Sequence, residues 1–446
     1  MNRSMSGVAQ ARSGRATLAI LAALSFLTLA VPAAAQEDGA GGRNVILFIG
    51  DGMGFQQVTL ARIVKEGEPA EPLFMETLPV LGYASTWAED CLVTDSAAAA
   101  TALATGHKVA NGVVSQRKDG KPIRTILEAA RDSGYATGLV TTTRITHATP
   151  ACFAAHDGNR DAEKRIALDY LETRPDVLLG GGARHFDERT LEQFRELGYQ
   201  VAPGASALRD AKPGKVLGLF AESHLAHDLD RDGTGQPSLE ELTRRAIELL
   251  AGRGKGFFLM VEGGRIDHAG HAHDAASIAA DTAAFDRAIR AAVGWSVEDG
   301  RTLVVVTADH TTGGQGITER VDVQGLRRVS SSAERIAERV EGGEELGAAV
   351  LAATGIELTD EEKAFVAAGK GPWSPALEIG HVVSSRLGVE FYSPAEQFRH
   401  RKTEGHDGTF VPVWAMGAES EEFRGPMDNT DIARKMAAYL GVELER

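Results

Sequence analysis

The feature that most limits the fold of this chain is a recurring one. Short, unbroken apolar runs stop abruptly at glycines or at clusters of Asp, Glu and His. Asn44-Val45-Ile46-Leu47-Phe48-Ile49 runs into Gly50-Asp51-Gly52-Met53-Gly54, and Tyr135–Thr143 runs into Thr146-His147. Asp176–Leu179 meets three glycines, Phe257–Val261 meets Glu262, and Thr302–Thr307 meets Ala308-Asp309-His310. Runs without polar alternation read as strands buried on both faces, the pattern of a parallel sheet. Helical stretches lie between them: one starting at Ser96, then 123–133, 238–250, and a last one from about Thr430. Strands alternating with helices predict a doubly wound α/β fold, whose ligands gather at the carboxyl ends of the strands.

The polar residues at those ends are of the kinds that hold metal ions. Asp267 and His271 are four apart, so on a helical turn they face the same way and offer one oxygen and one nitrogen to an ion such as zinc. His406 can close that set. Asp309 and His310, with Asp51 from another strand end, form a second mixed set. Glu262, Thr149 and a share of Asp51 form an all-oxygen set, which suits magnesium. A further acidic stretch, Asp228-Leu229-Asp230-Arg231-Asp232-Gly233-Thr234, begins like a calcium loop, but its twelfth position is Leu239, so it reads as a solvated turn.

Thr94-Asp95-Ser96-Ala97-Ala98-Ala99-Ala100 reads as a helix start, with Gly106 as its natural stop. A helix N-terminus favours an anion. A hydroxyl at Ser96 could therefore attack a phosphate held there, although Asp95 or Ser96 also suits a plain helix cap.

Composition narrows the partners. The 446 residues carry a formal net charge of −15, which argues against nucleic acid held by charge. Arg3, Arg12 and Arg15 precede an apolar run from Ala16 to Val31 and then Ala33-Ala34-Ala35, the pattern of an export signal over residues 1–35, cleaved ahead of Gln36. The expected location is the periplasm or the medium. No later segment is long and apolar enough to span a membrane, so no membrane anchor is expected. Cys91 and Cys152 are the only cysteines, and the sequence leaves open whether they pair. From Gly313 to about Pro394 the chain reads as polar and irregular, a surface insertion near the site.

Taken together, these segments resemble the alkaline phosphatases. The likeness is carried by Val45–Gly54, Val93–Gly112, Thr146–Arg160, Gly256–His271, Val304–Gly313, Gly405–Met416 and Asp428–Ala433. It implies a three-layer αβα sandwich with a largely parallel central sheet, formed by residues 36–446 as one domain with an insertion at about 313–394. It implies Ser96 as nucleophile, Arg160 as the phosphate-holding arginine, and Asp95 as the residue that orients Arg160. It implies two zinc ions, at Asp267, His271 and His406 and at Asp51, Asp309 and His310, and one magnesium at Asp51, Thr149 and Glu262. His147 and His268 stand beside these sites where other members have Asp and Lys, which leaves the third metal open. The substrates implied are small phosphomonoesters, and a homodimer is compatible with the family. Two other readings stay in view: a phosphodiesterase of the same superfamily, and an exported protein that binds metal or phosphate without catalysis. A sulfatase is disfavoured, since neither cysteine nor Ser96 opens a Cys/Ser-x-Pro-x-Arg motif.

Overall fold

The computed structural model describes residues 42–65, 71–397 and 403–445. The proposed export signal at 1–35 lies outside the described residues. Ten strands form the central sheet: β1 (Asn44–Gly50), β2 (Val80–Ser85), β3 (Ala136–Arg144), β4 (Val177–Gly181), β5 (Tyr199–Ala202), β6 (Lys215–Leu219), β7 (Phe257–Glu262), β8 (Thr302–Ala308), β9 (Val411–Met416) and β10 (Gly425–Asp428). Their order across the sheet is β10-β2-β9-β8-β1-β7-β3-β4-β6-β5. Every neighbouring pair is parallel except the two made by β9, which runs against both β8 and β2. Strands β1, β7 and β8 are buried along their whole length, which explains why they read as continuous apolar runs.

Helices cover both faces. On one side Ser96–Thr105 packs with Ala148–Ala154 and Asn429–Leu440. On the other, Ala275–Asp299 packs with Phe55–Val64 and Leu239–Leu250. Strand β1 sits in mid-sheet between β7 and β8, with β2 on one side of it and β3 on the other. Such a reversal of winding opens a crevice at the carboxyl ends of the strands. The reversed strand β9 contributes to the same edge, because the chain that enters it, His406–Asp407, lies where its parallel neighbours end.

The segment 313–394 departs from the sequence expectation. It is not irregular: it holds the helices Val323–Arg328, Ala333–Glu341, Leu346–Thr354, Asp360–Ala368 and Ala376–Arg386. Their inward residues, among them Leu326, Ile336, Val350 and Ile379, form a second apolar cluster that also takes in Leu60 and Ile278. The charge runs of this stretch are the outer faces of amphipathic helices. The cysteines do not pair: Cys91 is partly exposed, and Cys152 is buried with its sulfur between Thr101 Oγ1 and the carbonyl of Ala97.

Candidate active site

Ser96 is the first residue of its helix, and Asp95 is the cap. Oδ1 of Asp95 accepts from the Ala98 amide at 2.9 Å, and Gly106, at φ 73°, ends the helix in the left-handed conformation. The second oxygen of Asp95 accepts from the Gly112 amide and from Arg160 Nη1, both at 3.0 Å. One carboxylate thus starts the helix and fixes the guanidinium beside it. Arg160 is held at a second point, Nη2 lying 3.3 Å from Nε2 of His147. Ser96 is 2% exposed, and its Oγ is 3.2 Å from Nε2 of His310.

Behind Ser96 the strand ends converge. Asp51 follows β1, between Glu262 at the end of β7 and Asp309 after β8. Oxygens of Asp51 and Asp309 lie 3.4 and 3.3 Å from His310 Nε2. Gly52 allows this crowding. Its φ is 68°, and a Cβ there would stand 2.9 Å from the backbone and carboxylate of Asp267. Beside this set, His271 Nε2 is 3.2 Å from Asp267 Oδ2 and 3.2 Å from His406 Nε2.

The hydrogen bonds on the far side of these rings decide which nitrogen faces inward. His271 donates from Nδ1 to the Glu404 carbonyl at 2.9 Å, and His406 donates from Nδ1 to the Thr94 carbonyl at 3.0 Å. Each therefore turns Nε2 toward Asp267, the nitrogen that binds metal once an ion takes the place of its proton.

Other buried atoms here have no well-formed hydrogen bond: both oxygens of Asp51, Thr149 Oγ1, Glu262 Oε1, Asp309 Oδ2 and His147 Nδ1. Buried polar groups normally find partners, so a cluster of orphans calls for something bound. Ligand atoms fall within reach of a single ion in three groups: Asp267 with His310 and His406, Asp51 with Asp309 and His310, and Asp51 with His147 and Glu262. The third group includes His147, which the all-oxygen expectation did not; because Arg160 donates to its Nε2, the ring hydrogen sits on Nδ1, so the imidazole stands beside this site without a lone pair to offer it while that contact holds. Burial and mutual repulsion push the carboxyls of Asp51, Asp309 and Glu262 up, the sign of negative charge in want of a cation. Asp267 is pulled down: burial opposes its ionisation, but His271, His406 and His310 outweigh it. The donor set fits divalent metal ions of the zinc and magnesium kind.

The front of this set opens on a cavity of about 570 Å³, lined by Ser96, Arg160, His268 and His271, and also by Asn111, Arg144, His224 and Trp373. None of the last four is singled out by the sequence. Asn111 falls within Val93–Gly112, one of the segments that carry the family likeness, and its side chain accepts from the Asp95 amide at 2.9 Å. Trp373 arrives from the insertion and carries no local signal. The acidic turn at 228–234 lies elsewhere and holds no metal-ready cluster among the described residues; the carboxylate of Asp228 is taken by Arg231 and Arg287.

A family model described as alkaline phosphatase matches residues 42–442. The chain belongs to the alkaline phosphatase family. Alkaline phosphatase 3 of Bacillus subtilis is 36% identical over 457 aligned residues, covering 95% of this chain and 96% of that one. The crystal structure of a cold-active alkaline phosphatase from Shewanella sp. matches with a TM-score of 0.80 at 34% identity, covering 89% of this chain and 99% of that one. A His-to-Asp mutant of the alkaline phosphatase from the Antarctic bacterium TAB5, described with Mg bound in its M3 site, matches with a TM-score of 0.68 at 28% identity, covering 91% and 100%. The protein is an enzyme, a phosphoric monoester hydrolase of a metal-dependent family, and the three-layer α/β architecture is the one these relatives share.

Proposed function

We propose that this alkaline phosphatase is exported and releases inorganic phosphate from small phosphomonoesters through a phosphoseryl intermediate on Ser96. The observation that carries the reading is the position of Ser96 Oγ: at a helix N-terminus, 3.2 Å from His310 Nε2, between two carboxylate–histidine clusters and beside an arginine tied to the helix cap. In this reading Asp267, His271 and His406 hold one zinc, Asp51, Asp309 and His310 hold another, and Asp51, Thr149 and Glu262 hold magnesium, with His147 beside that last site. When bound, such ions favour deprotonation of a hydroxyl or water and neutralise charge on the phosphoryl and leaving oxygens.

The chain's own groups do the rest. Asp95 and His147 each engage one terminal nitrogen of Arg160, which leaves a hydrogen on each of those nitrogens to grip two non-bridging phosphate oxygens as a fork. Free amides at the start of the Ser96 helix add partial positive charge on the same side. Ser96 Oγ bonds to phosphorus as the ester P–O bond breaks. The departing oxygen keeps that electron pair, and the alcohol gains one proton while Ser96 loses one. Water then attacks phosphorus, the Oγ–P bond breaks, and the hydroxyl proton returns to Ser96.

The sequence of residues 1–35 supports export. Among the described residues no helix is long and apolar enough to cross a membrane. Exposed Leu81, Tyr83, Leu92 and Phe410, the rings of Tyr83 and Phe410 5.2 Å apart, support a homodimer.

Ser96→Ala tests the reading. Turnover of an aryl phosphate is expected to fall by orders of magnitude with metal content near normal, and acid quenching should trap phosphate on Ser96 of the wild type only. Label on Thr94 or Thr101 would overturn the assignment of the nucleophile. Diester hydrolysis as fast as monoester hydrolysis would move the protein to the phosphodiesterases.

A further inference from the structure

Arg265 is a cation buried beside the active site with no part in the scheme above. It opens the helix Arg265–His271, which also carries Asp267, His268 and His271, and it is 4% exposed. Its Nη1 lies 2.6 Å from Nδ1 of His268. Its Nη2 is paired with Oε2 of Glu334, a first-turn residue of the insertion helix Ala333–Glu341. The same oxygen of Glu334 is 3.2 Å from Nε2 of His227, whose Nδ1 is 2.6 Å from Oδ2 of Asp281 on the long helix Ala275–Asp299. A continuous line of polar contacts thus runs from Asp281 through His227, Glu334 and Arg265 to His268, on the wall of the cavity that holds Ser96 and Arg160.

The line has a direction at its inner end. A guanidinium only donates, so Nδ1 of His268 must present its lone pair to Arg265, and the ring hydrogen then sits on Nε2. No hydrogen bond joins that Nε2 to another described residue, it is not among the buried orphan atoms, and His268 lines the cavity. Without Arg265 the ring could take the other tautomer and turn a lone pair toward an anion, which would repel it.

We propose that Arg265 and Glu334 are positioning residues that fix His268 with Nδ1 as acceptor, so that Nε2–H serves as a hydrogen-bond donor to the phosphoryl group. This rests on the reading of the cavity as a phosphomonoester site and adds to it a specific task for the insertion. Glu334 acts from behind the cavity wall, through Arg265. Its side chain is 46% exposed, so the contact can be altered without opening the core.

The test is a double-mutant cycle on Arg265 and His268, read by the competitive inhibition constant of inorganic phosphate as well as by kcat/KM for an aryl phosphate. Arg265→Met is expected to weaken phosphate binding about tenfold, the size of one lost hydrogen bond. Arg265→Lys, which keeps a donor, should recover part of that. In a His268→Gln background Arg265→Met should cost nothing further, because the fixed partner is gone. Glu334→Gln should act in the same direction by about two- to threefold. In protein labelled with ¹⁵N-histidine, Nδ1 of His268 should give the signal of an unprotonated nitrogen, and Arg265→Met should abolish it. Additive effects in the cycle, or a protonated Nδ1 in the wild type, would overturn the proposal. If Arg265→Met does not fold, the wild-type ¹⁵N signal and the Glu334→Gln constant decide the matter alone. The ¹⁵N signal needs no turnover, so failure of the proposal and failure of the phosphatase reading are told apart.

Discussion

Two regions build this active site, and they do so by different means. At the sheet edge, the residues are set by backbone: Asp51, Glu262 and Asp309 lie at or just past the ends of three adjacent parallel strands in register, Val45 opposite Phe258 and Leu303. Their positions follow from the core itself, and moving one of them means moving a strand. The insertion contributes nothing through a ladder of the main sheet. It reaches the cavity through Trp373, against His271, and lies behind it through Glu334, against Arg265. The difference suggests a division of labour, in which the edge fixes the reacting groups and the insertion adjusts the orientation of histidines already there.

A first experiment presses on the edge. Arg160 follows the helix Ala148–Ala154 at the end of β3, and Asp95 and His147 hold it from both sides. Neighbouring carboxylates keep its guanidinium firmly charged: burial opposes the charge, but Asp95, with Asp51 and Asp267, outweighs it. Charge-assisted contacts cost about 1.5–3 kcal/mol each when removed. Arg160→Ser is therefore expected to lower kcat/KM for aryl monoesters by roughly ten- to a hundredfold. Slow diester hydrolysis should fall less, since a diester offers the fork less charge and a bulky substituent. Equal losses on both substrates would show that Arg160 does not read the dianion.

The same contrast explains what could be read from the sequence. Edge residues were legible as a group because the signal is local: an apolar run, then a carboxylate. The Ser96 helix was legible for the same reason, its cap and its glycine stop lying beside it in the chain. The insertion was not. In Ala333–Glu341 the charges Glu334, Arg335, Glu338 and Arg339 hid the inward Ile336 and Ala337, and the stretch looked merely solvated. The partners of Arg144, His224 and Trp373 lie up to 105 residues away, and no spacing rule links them. The third metal group was legible only in part. His147 stood out beside Thr149, but only the fold shows its Nδ1 buried and without a partner, facing the same space as Asp51 and Glu262.

That nitrogen gives a smaller test of the edge. Magnesium prefers oxygen donors, and zinc accepts imidazole. With His147 presenting an N–H to the third position where an oxygen could stand, that position should hold magnesium weakly. His147→Asp here is expected to raise magnesium affinity about tenfold, the scale on which single groups around a metal act. Equilibrium dialysis followed by elemental analysis measures it. Unchanged magnesium affinity would mean that His147 faces the site without contributing to it.

The smallest expected effect bears on the insertion and decides whether the comparison holds. Trp373 stacks on the ring of His271, centroids 4.7 Å apart and planes 15° from parallel. Its indole Nε1 also donates to Oε2 of Glu404 at 2.7 Å, and the carbonyl of Glu404 receives the Nδ1 hydrogen of His271. One side chain thus holds the face of the imidazole and, through Glu404, the group that fixes its tautomer. Direct outer partners of metal-binding histidines cost about 10–100-fold in metal affinity when lost. Trp373 acts one contact further out, so Trp373→Ala should weaken retention of the more labile zinc by about three- to tenfold, with Trp373→Phe, which keeps a ring to stack, falling between that and the wild type. Competition against a zinc-binding dye measures both. If Trp373→Ala retains zinc like the wild type while Arg160→Ser loses activity as expected, the edge orients its own histidines. Graded losses from wild type through Phe to Ala would instead mean that the site is completed by side chains the sheet does not position.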